Sequence, residues 1–182
     1  TRLLSVPEEY STITEALAAA RPNDKIRLAE GVFKESLSLS VRVDIEGSGK
    51  GKSIIECEAD KASVVLSTGE ASRSRVASLT LRQTGLSLAA ERYPVALADG
   101  AELILEDCRI EGGSGHGVAV INGGTANLRN VEVLKCGWDG LAVNGEGSVA
   151  DAEGCRFDSN FHHGIDAWGG GRVKVKSSRA TK

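Results

Sequence analysis

A repeat of about 23 residues constrains this chain more than any other feature of its sequence. Four blocks, opening at Pro94, Gly117, Gly140 and Gly164, can be laid under one another. In that alignment Val95, Val118, Leu141 and Ile165 share one column, and Leu97, Val120, Val143 and Ala167 another. Ala96, Ala119, Ala142 and Asp166 fall between them, giving the period-two alternation of a strand with one buried face. A turn carrying Asp99-Gly100, Gly123-Gly124 or Gly145-Glu146-Gly147 follows, and the inserted residue of the repeat falls there. A second strand supplies Leu103/Leu105, Ala126/Leu128, Ala150/Ala152 and Val173/Val175. A third supplies Cys108/Ile110, Val131/Val133 and Cys155/Phe157 before a polar, glycine-rich corner.

One such unit cannot bury its apolar face, but units stacked about 4.8 Å apart through parallel ladders share a continuous aliphatic interior. The expected fold is therefore all-β, a right-handed parallel β-helix of about seven three-strand coils. Upstream, Leu37/Leu39, Val43/Ile45, Ile54/Ile55, Val64/Leu66 and Val76/Leu79/Leu81 are the candidate inward residues. Ser11 or Thr12 can N-cap a short helix through Ile13, Ala16, Leu17 and Ala20 that stops at Arg21-Pro22, a lid on the first coil. One domain is expected over residues 1–182, with the cap at 1–23, coils at 24–175 and a tail at 176–182. No cap follows Val175, so either further coils of a longer parent or a second copy is expected to cover that end. The start at Thr1 and the lack of methionine mark the chain as a piece of something longer.

A formal charge of −3 without a Lys/Arg run argues against nucleic acid and against membrane surfaces as partners. Four cysteines, Cys57, Cys108, Cys136 and Cys155, show no CxxC spacing. Cys108 and Cys155 share an inward column two ladder spacings apart, too far for a disulfide, and unpaired thiols lean the chain toward a reducing, intracellular compartment. The segment Gly47-Ser48-Gly49-Lys50-Gly51-Lys52-Ser53 looks like a phosphate loop, but Ile54-Ile55 continues as strand, which makes it a corner.

Chemistry-bearing residues gather just before the aligned Pro/Gly. Tyr93, His116, Asp139 and His163 form a column, flanked by Arg92, Trp138 and His162, with Trp168 on the last strand beside outward Asp166. All three histidines and one tryptophan, Trp138, fall in this band. As a binding platform it comprises Tyr93, His116, Trp138, Asp139, His162, His163, Asp166 and Trp168; as an acid/base site, His116, Asp139 and His163. The bland alternative is a solvated ladder of turn residues. No metal site is expected, because His116 and His163 stand roughly 9.5 Å apart by ladder spacing and adjacent side chains such as His162 and His163 tend to diverge. No cofactor is expected; calcium would have only the acidic pairs Glu56/Glu58 and Glu106/Asp107, which read better as outward faces and turn residues.

The opening, with Tyr10-Ser11-Thr12-Ile13-Thr14-Glu15-Ala16, Asp24-Lys25-Ile26-Arg27-Leu28, Gly31-Val32-Phe33-Lys34-Glu35, Gly47-Ser48-Gly49 and Ser53-Ile54-Ile55, resembles that of pectin-lyase-like β-helix proteins. That superfamily includes pectin methylesterases, polysaccharide lyases, alginate epimerases and non-catalytic carbohydrate-binding and sugar-hydrolase repeat domains, to which this chain looks most similar. The methylesterase pattern resembles Tyr93-Pro94-Val95-Ala96-Leu97 and Asp107-Cys108-Arg109; it would place one catalytic aspartate where His116 stands and the other at Asp139. One acid is kept and its partner replaced, which argues against esterase chemistry. The resemblance implies a non-catalytic recognition or scaffold domain for a polysaccharide or a protein segment along one face. The alternatives are a polyuronate lyase or C5-epimerase using the His/Asp strip, and a structural module self-associating, as a homodimer, through its open C-terminal coil.

Overall fold

The computed structural model describes residues 1–182, the side chain of Glu70 apart. Its strands form sheets of eight, seven and six strands in which every neighbouring pair is parallel. The chain visits them in that order, completing six three-strand coils between Asp24 and Trp168, in a right-handed parallel β-helix. No described helix is long and apolar enough to cross a membrane.

Register places like on like. In the eight-stranded sheet Leu4, Ile26, Ile45, Val76, Leu105, Leu128, Ala152 and Val175 form one continuous column. The seven-stranded sheet faces it with Phe33, Ile55, Leu81, Ile110, Val133, Phe157 and Ala180. Almost every inward aliphatic between Leu4 and Phe157 is 0–2% exposed, and each fully buried Leu, Ile or Val contributes about 1.5–3 kcal/mol. The second and third strands of the repeat fall in the register expected from the sequence, Cys108, Val131 and Cys155 included.

The first strand of the repeat corrects the sequence alignment. Ala96, not Val95, pairs with Val118, and Ala98, not Leu97, pairs with Val120. The true columns are Leu37, Val65, Ala96, Val118, Leu141 and Ile165, with Leu39, Ser67, Ala98, Val120, Val143 and Ala167 beside them. Leu97 and Leu66 therefore point outward, as does Ile54, three residues the alternation had placed inside. The cause is turn length: Gly100-Ala101 spans two residues where Asn122-Gly123-Gly124 spans three, and Gly145 to Ser148 spans four. One residue fewer in the turn shifts the preceding strand by one against its neighbour, and a one-residue shift exchanges its faces.

Both ends of the chain also differ from expectation. Within the expected cap of residues 1–23, Leu3–Val6 already pairs in register with Asp24–Leu28. The helix, Ile13–Ala19, leads off that strand with Thr12 as its N-cap, accepting from the Glu15 N–H at 3.1 Å. Glu35 from the following coil accepts from the N–H groups of Ile13 and Thr14 at 3.0 and 2.8 Å, so the helix start is tied to the solenoid. Ile13 and Ala16 are fully buried, closing the core. At the other end residues 176–182 are no loose tail: Arg179–Thr181 pairs with Arg156–Asp158 as the second strand of a seventh coil that begins at Arg172–Lys176. That part-coil is uncovered, with Val175 46% exposed.

Close approach at the corner before the first strand requires glycine. A β-carbon on Gly117 would lie 2.4 Å from Val133 Cγ1 and 2.7 Å from the Gly140 carbonyl oxygen. Gly117→Ala is expected to lower stability by about 1–3 kcal/mol in urea denaturation, the usual cost of overpacking a filled core. An unchanged midpoint would contradict this packing.

Candidate functional site

The corner that introduces the six-stranded sheet gathers the polar and aromatic side chains. There, in consecutive coils, Pro94, His116, Asp139 and His163 lie in register. Tyr93 is displaced by the one-residue shift and lines a neighbouring depression with Leu66, Pro94 and Leu97 instead.

Asp139 is the hub. Its side chain is only 5% exposed, and its Oδ1 accepts from the His163 N–H at 3.1 Å and lies 2.9 Å from His163 Nδ1. Oδ2 lies 3.3 Å from His116 Nδ1, and His162 Nδ1 approaches Oδ1 to 3.9 Å. Adjacent His162 and His163 thus converge rather than diverge, with ring centroids 5.5 Å apart. Backbone bonds explain this: the N–H groups of Phe161 and His162 donate to the carbonyls of Cys136 and Trp138, wrapping the 161–163 corner around Asp139. Asp166 joins at the margin, Oδ2 3.9 Å from His163 Nδ1.

Aromatic rings form the other half. The His116 ring sits 5.1 Å from Trp138 and 6.1 Å from Trp168, and the Arg92 guanidinium lies 5.0 Å from the Trp138 ring centre. Ala119 and Ala142 point away from the core yet are 5% and 2% exposed. Neighbouring side chains must lie across them; the register sets Leu97 beside Ala119 and Asp166 beside Ala142. The sequence reading had these two alanines between the inward columns but gave them no role. Phe161, 83% exposed and stacked on His162 at 6.4 Å, was also missed.

Glu56 is held by Arg82 at 2.7 Å and Glu106 by Arg75 at 2.8 Å, so these acids complete ion-pair ladders across coils. All four cysteines are free. Burial pushes the thiols of Cys108 and Cys136 up to about 12 and that of Cys57 up to about 11, which keeps them protonated at neutral pH.

The comparisons agree with this architecture. The family described as "Right handed beta helix region" matches residues 41–180, and the chain belongs to it. A search of characterised proteins by sequence finds no relative. Among solved structures, the catalytic domain of an α-1,3-glucanase in complex with nigerose superposes with a TM-score of 0.74 at 11% identity, over 100% of this chain and 36% of its own. An alginate lyase from Paenibacillus sp. gives 0.70 at 16%, over 96% and 75%. A pectin methylesterase in complex with a hexasaccharide gives 0.65 at 13%, over 96% and 62%. The chain therefore spans about a third of the glucanase domain and less than two thirds of the methylesterase. At these identities the likeness is one of fold.

Burial lowers the pKa of His116 below the ordinary 6.5, and the charge of Asp139 is the main opposing influence, followed by Asp166. As pH falls through 6.5 the unfolded chain takes up this proton first, so the His116 contribution to stability declines on the acid side of that value. In a proton NMR titration the His116 ring should have its midpoint below 6.5. Asp166→Asn should lower it further and Asp139→Asn more so; an upward shift in either variant would contradict the geometry.

Proposed function

We propose that this domain recognises a polysaccharide on the outer face of its six-stranded sheet, without cleaving it. The observation that carries this reading is the pair Trp138 and Trp168 flanking His116 over a flat floor of Ala119 and Ala142. Indole faces stack on the apolar faces of sugar rings. His163, Asp166 and Arg92 stand at the edge as hydrogen-bonding groups for hydroxyls or a uronate carboxylate. Two of the structural neighbours hold a hexasaccharide and nigerose, which supports a saccharide over a protein segment.

The reading without turnover is supported by the state of Asp139. Its carboxylate is nearly buried and its Oδ1 is engaged by the backbone N–H and the ring of His163, so it is poorly placed to attack a substrate.

Calorimetry against a panel of pectate, alginate and α-glucan oligosaccharides should show binding to at least one of them. Trp138→Ala and Trp168→Ala should each weaken it by about tenfold, the loss of one stacking contact of roughly 1.5 kcal/mol. Binding that both variants leave intact, or release of shorter or unsaturated sugars, would overturn this reading.

A further inference from the structure

We propose that Asp139, His162 and His163 form a binding site for a borderline divalent transition-metal ion, zinc or its analogue cobalt(II). Their ligating atoms all lie within 4.8 Å of one another. Three donors around a tetrahedral ion at about 2.1 Å stand roughly 3.4 Å apart. The separations of Asp139 Oδ1 from His163 Nδ1 and His162 Nδ1, 2.9 and 3.9 Å, bracket that value. Side-chain rotation suffices to close the set, because both imidazoles are exposed, at 60% and 62%, while the backbone beneath them is pinned to the preceding coil.

Electrostatics favour a cation at this point. Nearly buried acidic side chains are paired or coordinate metals, and that of Asp139 is 5% exposed. Among the described residues Asp139 has no lysine or arginine within ion-pair distance, only the three histidines. A bound ion would supply the missing charge beside Asp139, whose backbone N–H donates to His116 Nδ1 at 3.3 Å.

Two imidazoles and one carboxylate select a transition ion over calcium or magnesium, which take oxygen cages. Three protein ligands leave a position open to water or to an oxygen of a bound molecule. Asp166, Oδ2 3.9 Å from His163 Nδ1, is close enough to accept a hydrogen bond from that water. Sequence reasoning set the site aside on the divergence of adjacent side chains, which the turn bonds reverse. This inference does not depend on saccharide binding and is measured without any sugar.

The test uses the chain without a polyhistidine tag, equilibrated with zinc or cobalt(II) and dialysed against metal-free buffer. One ion per chain should remain by elemental analysis, and the cobalt form should show the intense visible bands of tetrahedral coordination. His162→Ala and His163→Ala should each weaken zinc binding by at least about tenfold in a competition titration, with unchanged circular dichroism because both side chains are at the surface. Asp139→Asn should abolish retention where it folds. Retention far below one ion per chain in the wild type, or retention equal to wild type in both histidine variants, would overturn the proposal.

Discussion

Parallel, in-register pairing between successive coils is the constraint on which the rest of this protein depends. It fixes neighbouring strands about 4.8 Å apart and sets equivalent residues of each repeat directly above one another. An aliphatic position repeated along the chain therefore becomes a buried column, as from Leu4 through Ile45 and Leu128 to Val175. By the same rule, polar and aromatic residues repeated before a corner become a strip on the surface. Core and candidate site are two readings of one ladder.

Turn length modulates that ladder. The connection after the first strand holds two, three, four and three residues in successive coils, and each change slides one strand against its neighbour or is absorbed in the loop. The slide between the strands at Ala96 and Val118 removes Tyr93 from the corner column and turns Leu97 outward. Farther along, His116, Asp139 and His163 remain aligned, and the 161–163 corner folds back over Asp139. The hub of the site thus lies where the coils stack without slippage.

Most of the architecture was legible in the sequence because the second and third strands keep a constant spacing and carry strong period-two alternation. The first strand was less so, since Val95-Ala96-Leu97-Ala98 satisfies the alternation in either register; only the length of the Gly100-Ala101 turn decides between them. The chain end was misjudged because Arg179-Ala180-Thr181 has a single small inward residue and no apolar pattern, yet the ladder edge of Arg156–Asp158 templates it as strand. Of the site, the residues themselves stood out by type and spacing. Their convergence did not, because it comes from backbone hydrogen bonds between coils that no local pattern encodes.

The central claim, that Trp138 and Trp168 with His116 make one recognition face over Ala119 and Ala142, is tested most directly by NMR. The chain has two tryptophans and so gives two indole N–H signals. Both should shift together along a single binding curve as an oligosaccharide of the recognised type is added, with the His116 ring following. Shifts confined to the depression around Lys34, Cys57 and Thr84, with both indole signals unmoved at saturation, would contradict it.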